Sequence, residues 1–410
     1  MKLMNVKSPD DALRILDRFQ PLQPETVKLE EAGGRYLSVD FMAGEDVPAF
    51  DRSTMDGYAV RAEDTFGAGE SMPGLLECKG EILMGTVPPV VVGPGECFQI
   101  HTGGMLPQGA DAVLMVEDTE VVGTSIQCFS QVAPGENVIH RGEDIKKGDV
   151  VIRAGRKIRS PELGVLASLG VEEIAVHRRP VVGILLSGDE VVEWKTGKLE
   201  PGKIRDSNAL AIEFMCRRAG AEVMVGGVLP DRLDAFMEKS RAMLEKVDFL
   251  VFSGGSSVGT RDFTGRAMAA LGKPGLLVEG ISVKPGKPTL IADCDGKPVL
   301  GLPGHPVSAL TIFQIFGTRI LQRLAGCKTI DFKPSVRAEL SRNIPSTTGR
   351  TDYARIRLEK QDEKNIPTAI PVFGRSGMLR TLAEADGYLV VKAEKEGLSA
   401  GDTVDVYLIE

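Results

Sequence analysis

The spacing of apolar residues changes several times along the chain, and each change predicts a different kind of structure. Near the N-terminus, Ser8 and Pro9 precede apolar residues that recur at helical spacing, so a helix is predicted over about 9–19. From about 46 to 143, short Val-rich and Ile-rich runs alternate with Gly and Pro, which is typical of antiparallel strands. Ser160-Pro161-Glu162 begins a second short helix, which Gly170 ends.

After residue 178 the pattern changes to compact apolar runs that alternate with long helical stretches. This alternation predicts a parallel sheet with crossover helices on both faces, a doubly wound α/β domain. The predicted strands cover 181–186, 222–228 and 248–252, and the predicted helices cover about 207–219, 231–246, 261–271 and 306–325. Two further runs, 289–292 and 298–302, flank Asp293-Cys294-Asp295-Gly296 and predict an inserted hairpin. The tail returns to short alternating strands and predicts a small β-barrel or sandwich.

These changes divide the 410 residues into four predicted domains of a multi-domain α/β plus β protein. A discontinuous helical and linking domain joins 1–45 to 144–177, and a β-rich domain covers 46–143. The α/β domain covers 178–329, and the C-terminal β domain covers 330–410.

Composition narrows the function classes. The formal net charge is −8, which argues against binding to a nucleic-acid backbone. The six cysteines contain no C-x-x-C pair, and no apolar run approaches the ~18–20 residues of a membrane span. A cytoplasmic protein with no membrane partner is therefore expected.

Polar residues cluster directly after the predicted strands of the α/β domain, at the sheet edge where ligands bind in such folds. Ser187-Gly188-Asp189-Glu190 follows the first strand, and Pro303-Gly304-His305-Pro306 follows the last. The loop 253–259 contains six small residues that can present backbone N–H groups and hydroxyls to an anion: Ser253, Gly254, Gly255, Ser256, Ser257 and Gly259. Such a loop is also consistent with a tight strand-to-helix turn.

Charged residues flank this loop. Asp231 and Asp262 each begin a predicted helix, where they can either cap it or hold Mg²⁺ through oxygen. Lys284-Pro285-Gly286-Lys287-Pro288 places two cations on a rigid turn, which suits an oxyanion or a diphosphate but is also compatible with a solvated surface turn. In the β region, Phe50–Val60, His101–Gly104 and Arg141–Asp144 are further dense polar turns.

Read together and in order, these motifs resemble the MoeA family of molybdopterin molybdenumtransferases, to which the E domain of gephyrin is homologous. The matching stretches are Phe50–Val60, Thr102-Gly103, Arg141–Ile145, Ser187–Glu190, Ser253–Gly259, Lys284–Pro288, Gly301–Ser308 and Gly349-Arg350. The resemblance covers nearly the whole chain.

The resemblance implies a fold and a reaction. The fold is a doubly wound MogA-like α/β domain with flanking β-rich domains and a C-terminal small β-barrel. The reaction is hydrolysis of adenylylated molybdopterin, which releases AMP, followed by insertion of molybdate into the pterin dithiolene. It implies Mg²⁺ as cofactor and a homodimer, with the pathway's adenylyltransferase and the acceptor molybdoenzymes as further partners.

The same resemblance implies catalytic, metal-binding and substrate-binding roles for individual residues. The implied catalytic residues are Asp56, Glu190, Asp231 and Asp262, of which Asp231 and Asp262 bind the metal. The implied substrate-binding residues are Thr102, Asp144, Ser253, Gly254, Gly255, Ser256, Ser257, Gly259, Lys284, Lys287, Pro303, Gly304, Pro306, Ser308, Arg350 and Ser376. In the implied dimer, Asp56, Thr102 and Asp144 act across the interface.

The chain departs from the family pattern where Pro303-Gly304-His305-Pro306 has His in place of the usual Asn, which adds a titratable group. Ser376 lacks the neighbouring polar residue that the family pattern leads us to expect. Three alternatives stay open: a non-catalytic scaffold, the upstream adenylyltransferase, and a transferase that uses tungstate. The choice between Mg²⁺ and Zn²⁺ also stays open.

Overall fold

A computed structural model describes residues 6–229, 232–254, 261–329, 334–360 and 366–409, with only the backbone given at 261–263. Within these residues the helices α1 to α8 are, in chain order, Pro9–Leu16, Ser160–Ser168, Asn208–Arg218, Leu233–Lys246, Arg261–Ala270, Pro306–Ile312, Thr318–Leu324 and Arg380–Ala383. The π-helix Phe313–Gly317 joins α6 to α7, and short 3₁₀ turns cover Leu29–Glu31, Ala62–Thr65 and Val116–Asp118.

The strands are numbered β1 to β28 in chain order. They are Pro24–Lys28, Phe41–Met42, Arg52–Ser53, Gly57–Val60, Gly74–Glu81, Glu96–Ile100, Ala112–Met115, Thr119–Val122, Ser125–Cys128, Val138–Ile139, Val150–Ile152, Glu173–His177, Val181–Ser187, Val191–Val192, Ile204–Arg205, Glu222–Leu229, Phe249–Gly254, Pro274–Glu279, Val283–Lys284, Leu290–Cys294, Lys297–Leu302, Val336–Leu340, Ile344–Pro345, Thr351–Glu359, Thr368–Pro371, Gly387–Val391, Gly397–Leu398 and Thr403–Leu408.

Two compact units divide the chain. Unit 1 consists of Met1–Ser38, Ala154–Arg159 and Glu173–Glu410, and unit 2 consists of Val39–Arg153 and Ser160–Glu172. The chain therefore leaves unit 1 after its first 38 residues and returns to it twice. The four predicted domain limits are finer than this division and stay a prediction.

The α/β part of unit 1 contains a six-stranded sheet in the order β16-β13-β17-β21-β20-β18. The first four of these strands are parallel, while β20 is antiparallel to both of its neighbours, β21 and β18. The predicted hairpin is β20–β21. The strand β18 was not predicted, because Pro274 and Gly275 interrupt the apolar pattern at its start.

Helices cover both faces of this sheet, as the continuous apolar strands require. Val182, Ile184 and Leu186 point to the face covered by α3 and by the α6–α7 segment, where Ile212 and Phe313 are also buried. The alternate residues of the sheet, Leu185, Leu250, Phe252 and Val299, pack in a second core against α4 and α5, which contribute Phe236, Leu244, Ala267 and Met268. Helix α1 is shorter than predicted and ends at Leu16, although Phe19 stays buried in the first core.

The C-terminal part of unit 1 is a closed five-stranded barrel. Its strands run in the order β24-β25-β22-β28-β26, and β26 pairs with β24 to close the ring. Strand β19 leaves the α/β part and pairs in parallel with the start of β24, with Val283 opposite Thr351 and Lys284 opposite Asp352. This pairing carries the Lys284–Pro288 turn to the barrel.

Unit 2 contains a six-stranded sheet in the order β7-β4-β6-β5-β9-β8. Strand β4 is buried along its whole length, and side chains such as Tyr58 and Val60 face one core while Ala59 faces another.

Within the described residues, none of the helices combines the length and the apolar character needed to cross a membrane.

Candidate active site

A cavity of 990 Å³ lies in unit 1 where loops of the α/β part meet the barrel. The sequence-predicted residues that line it are Lys284, Lys287, Pro303, Ser308, Arg350 and Ser376. His305, Asp352, Arg355, Phe373 and Arg375 also line it. The sequence-predicted residues among these, from Lys284 to Ser376, are up to 92 positions apart in the sequence and surround one space.

A buried carboxylate orients two of the cations. Asp352 has a side chain that is 7% exposed, and its two oxygens lie 2.9 Å from Arg350 Nε and 3.6 Å from Lys284 Nζ. The parallel β19–β24 pairing sets Lys284 opposite Asp352 and so fixes this geometry. The lysine side chain is still 58% exposed. Two cations held by one acid leave a net positive charge at the cavity wall.

The turn between the two lysines is pressed against helix α6. Gly286 has a φ of +108°, and a Cβ atom at this position would lie 2.3 Å from Ile312 Cγ1, so only glycine fits. The Thr289 hydroxyl donates to the Gly286 carbonyl at 2.6 Å and closes the turn. Lys287 is exposed and makes no ion pair with any described residue. Its ammonium is available to an anion in the cavity.

Hydroxyl groups and a histidine form another part of the wall. Ser376 Oγ lies 3.0 Å from His305 Nδ1, and the Val307 N–H donates to the Ser376 carbonyl at 3.2 Å. His305 precedes Pro306, the first residue of α6, and Ser308 is buried in the first turn of that helix. The start of α6 and the 374–376 loop therefore hold each other in place.

Arg355 is a lining residue that sequence reasoning missed. It is buried in strand β24, donates from Nη2 to the Gly374 carbonyl at 3.4 Å, and has an Nε atom without a hydrogen-bond partner among the described residues. Burial lowers the pKa of its guanidinium. The sequence signal that could have identified Arg355 was an arginine in the middle of a strand whose neighbouring residues are apolar.

At the carboxyl edge of the sheet, Asn208 joins two of the predicted loops. Its Nδ2 donates to Ser253 Oγ at 2.9 Å and to the Gly304 carbonyl at 3.0 Å. Asp206 accepts the backbone N–H of Asn208 at 2.8 Å and fixes the start of α3. Asn208 Oδ1 is buried and has no partner among the described residues. Sequence reasoning missed this residue, because an asparagine at a helix start is usually an ordinary cap.

Gly254 ends β17 in close contact with β13. A Cβ atom there would lie 2.1 Å from the Ser187 carbonyl oxygen, and φ is +106°, so the position requires glycine. Glu190 follows β13 and its carboxylate folds back over Gly188, where an added Cβ would lie 2.9 Å from Glu190 Oε2. Lys203 Nζ donates to the Asp189 carbonyl at 2.6 Å and secures this loop.

Several predicted residues lie outside the described residues. These are Asp231, Gly255, Ser256, Ser257 and Gly259, and the side chain of Asp262. In the described parts of the chain, no group of three or more His, Cys, Asp or Glu side chains is placed to hold a metal ion. Mg²⁺ needs only one or two carboxylates when waters and substrate phosphates complete its shell. Asn208 Oδ1, which has no partner among the described residues, offers an oxygen ligand at the carboxyl edge of the sheet, which fits such an ion.

In unit 2, Asp56 and Thr102 are brought together. Asp56 Oδ1 accepts the backbone N–H of Thr102 at 2.8 Å and the Thr102 hydroxyl at 3.1 Å, and His101 Nδ1 lies 3.6 Å away. These hydrogen bonds, those of Thr102 first, lower the pKa of Asp56. Glu81 Oε1 lies 3.0 Å from His101 Nε2 and completes the cluster. Asp56 is held as an exposed carboxylate.

Asp144 belongs to a neighbouring turn of the same unit. Its backbone N–H donates to the Val47 carbonyl at 3.2 Å, and its side chain is exposed. Asp51 accepts the Arg141 N–H at 2.7 Å, and Asp46 accepts from Arg141 Nε at 2.8 Å. The polar turns 46–56, 101–104 and 141–144 are therefore tied together by hydrogen bonds.

Comparisons with known proteins cover nearly the whole chain. Family models match residues 7–170 ("MoeA N-terminal region (domain I and II)"), 183–323 ("Probable molybdopterin binding domain") and 337–409 ("MoeA C-terminal region (domain IV)"). A protein of Bacillus subtilis (strain 168) named molybdopterin molybdenumtransferase is 33% identical over 405 residues, which are 98% of this chain and 93% of that protein. A Haemophilus influenzae protein of the same name is 33% identical over 94% of each chain.

The crystal structure of a molybdopterin biosynthesis MoeA protein from Pyrococcus horikoshii OT3 superposes with a TM-score of 0.85. It is 31% identical and covers 99% of this chain and 100% of that one. This likeness, the doubly wound sheet and the closed barrel confirm the predicted fold class.

Proposed function

Because the chain belongs to the MoeA family, we propose that it is a molybdopterin molybdenumtransferase that releases AMP from adenylylated molybdopterin and joins molybdate to the pterin dithiolene. The family places the chain in molybdenum cofactor biosynthesis as a transferase. The observation that carries the finer proposal is the 990 Å³ cavity whose wall presents Lys284, Lys287 and Arg350. A phosphorylated pterin and an oxyanion both need cations of this kind.

The cavity wall supports molybdate binding because its cations are fixed before the oxyanion arrives. Asp352 holds Arg350 and Lys284, so less reorganisation is needed when the anion binds. Lys287 adds a charge that is not neutralised by any described residue. The Ser308 and Ser376 hydroxyls donate to the remaining oxygens, and the exposed Phe373 ring offers an apolar face to the pterin.

The first step cleaves the phosphoanhydride bond, with water as the nucleophile and AMP as the leaving group. The carboxyl edge of the sheet supports this step, since Ser253 Oγ, the Asn208 side chain and the Gly304 carbonyl meet there. Mg²⁺ held by Asp231 and Asp262 would neutralise the diphosphate when bound. Glu190 supplies an exposed carboxylate from the loop after β13.

Asp56 and Thr102 have their proposed role in the same hydrolysis. The hydrogen bonds from Thr102 lower the pKa of Asp56 and orient its carboxylate, which is ionised near neutral pH and can position the attacking water or hold a cation. Their action from the partner chain of a homodimer, with Asp144, is the prediction that the family resemblance gives. The supply of substrate by an adenylyltransferase and delivery to molybdoenzymes belong to the same proposal.

The test is AMP release from adenylylated molybdopterin by the purified protein with Mg²⁺, with molybdate, with tungstate and with neither. Release that depends on molybdate is expected. Dependence on tungstate alone would reassign the oxyanion, and absence of release from a folded protein in all arms would overturn the proposal in favour of a scaffold. Asp262→Ala should abolish release while leaving the circular dichroism spectrum unchanged, and full activity of that variant would remove Asp262 from the catalytic residues.

A further inference from the structure

A second, smaller cavity of 80 Å³ lies in unit 1 and shares no lining residue with the cavity described above. Its wall is formed by the 33–36 segment, the 177–180 segment, Lys157 and the ends of helices α3 and α7. The basic residues that line it are Arg35, Lys157, His177, Arg178, Arg179 and Arg218. In a chain of net charge −8, so many cations around one small space need an explanation.

Two of these arginines are fixed by acids on the outer side of the wall. Arg178 donates from Nη1 and Nη2 to the two oxygens of Asp248, at 2.7 and 2.5 Å. Arg35, with a side chain only 8% exposed, pairs with Glu25 and donates from Nη2 to the His177 carbonyl at 2.9 Å. A guanidinium has five N–H donors, and within the described residues neither Arg35 Nη1 nor Arg178 Nε has an acceptor.

Two further cations are not neutralised. Lys157 and Arg179 make no ion pair with any residue that the structure describes. Glu25 balances Arg35 and Asp248 balances Arg178, and neither acid pairs with Lys157 or Arg179. His177 donates from Nδ1 to the Leu22 carbonyl at 2.7 Å. The excess of positive charge does not depend on this histidine. The wall therefore has positive charge left over.

The backbone around the cavity is well fixed. Strands β1 and β12 pair from Pro24 with His177 to Lys28 with Glu173. Tyr36 and Lys157 form an antiparallel bridge, and Ile158 exchanges hydrogen bonds with Gly34 and Arg35, at 2.7 and 2.8 Å. The cations thus sit on paired backbone rather than on free loops, which lowers the entropy lost when an anion binds.

From these observations we propose that this cavity binds one small tetrahedral oxyanion, inorganic phosphate or a single phosphate group. A volume of 80 Å³ equals two to three water volumes at ~30 Å³ each, which leaves room for one phosphate group. Arginine forks and a lysine are the usual donors to phosphate oxygens. The competing explanation is that the cations only offset the negative ends of α3 and α7, whose last residues line the cavity.

Calorimetric titration with inorganic phosphate at constant ionic strength tests the proposal. The titration uses the full chain with Lys284→Gln and Lys287→Gln, so that phosphate binding in the larger cavity is weakened first. Adding Lys157→Gln and Arg179→Gln should weaken the remaining phosphate site at least about tenfold, because two charged donors to the anion are lost.

The matched control carries Lys239→Gln and Arg241→Gln, two exposed cations of helix α4, and should bind phosphate as the parent does. Unchanged affinity after Lys157→Gln and Arg179→Gln, an equal loss in the control, or no phosphate binding in the parent would each overturn the proposal. Parallel titrations with sulfate and molybdate should give weaker binding, and tighter binding of either would reject phosphate as the ligand. Circular dichroism spectra establish that all variants are folded.

Discussion

The larger cavity of unit 1 and the polar turns of unit 2 contain similar residues but hold them in different ways. In unit 1 the anchoring acid, Asp352, is 7% exposed and organises two cations, whereas in unit 2 Asp56 is 62% exposed and is itself held by Thr102. The first arrangement presents positive charge to a cavity, and the second presents negative charge to solvent.

This difference indicates a division of labour between binding and chemistry. The buried carboxylate of Asp352 is costly to leave without its cations, so the cavity holds Arg350 and Lys284 in place for an oxyanion. An exposed carboxylate remains free to exchange protons or cations with what approaches it. Substitutions in the cavity should therefore change molybdate affinity and stability together, while substitutions in the polar turns should change activity alone.

Among the substitutions that test this contrast between the units, Lys284→Gln should have the largest effect. Loss of the ammonium removes a preorganised charge, and kcat/KM for molybdate-dependent product formation should fall by ~10²–10³. The measurement is the initial rate as a function of molybdate concentration. The exposed lysine Lys239, substituted in the same way, should leave the rate unchanged. A fall of less than about threefold for Lys284→Gln would mean that molybdate binds elsewhere.

Asp352→Asn tests whether the buried carboxylate anchors Arg350 and Lys284. Asp56→Asn, in unit 2, is the variant to compare with it. Without the carboxylate, Arg350 and Lys284 repel each other, and the KM for molybdate should rise about 10–100-fold with a loss of ~1–3 kcal/mol in unfolding free energy. Asp56→Asn should lower kcat without moving the denaturation midpoint, because the side chain is exposed. Equal destabilisation by the two variants would contradict the contrast between the units.

Asn208→Ala should give an intermediate effect. It removes the hydrogen bonds to Ser253 Oγ and the Gly304 carbonyl, which join two loops of the site. We expect ~1–2 kcal/mol lower unfolding free energy and about tenfold lower kcat/KM for AMP release, with the Asn208→Asp variant no better because its oxygens cannot donate. Chemical denaturation and the AMP assay measure the two effects. Loss of stability with normal kcat/KM would limit Asn208 to a structural role.

Strands were easier to predict from the sequence than the residues that organise the site. The apolar alternation predicted the strands at Val181–Ser187 and Phe249–Gly254 to within two residues, since burial on both faces leaves a strong pattern. The two-lysine turn made Lys284 a candidate for anion binding, Arg350 was assigned by family resemblance, and the structure places both in one cavity. Asp352 and Asn208 were missed because their roles come from tertiary contacts, such as the β19–β24 pairing, which periodicity does not encode.

Thr102→Val tests the hydrogen bond that holds Asp56 in unit 2, where a smaller effect is expected than in the cavity of unit 1. The hydroxyl donates to Asp56, so its removal should raise the pKa of Asp56 toward the usual 3.8 while the backbone N–H bond persists. Near neutral pH the carboxylate stays ionised in both forms, and AMP release should fall only about threefold from lost orientation. A carbon-13 NMR titration of the Asp56 carboxyl measures the pKa. An unchanged midpoint would show that Thr102 Oγ1 does not hold Asp56 in solution.

The smallest effect is expected from His305→Asn, which restores the residue that the family pattern has at this position. An asparagine places a polar atom as many bonds from the backbone as His Nδ1, so it can keep the hydrogen bond to Ser376 Oγ, now 3.0 Å. AMP release and molybdate KM should stay within about twofold, whereas His305→Ala, which loses a bond worth ~0.5–1.5 kcal/mol, should raise KM by about 2–10-fold. If asparagine is as damaging as alanine, the imidazole ring itself is required, and this cavity differs from that of its relatives at the point where α6 begins.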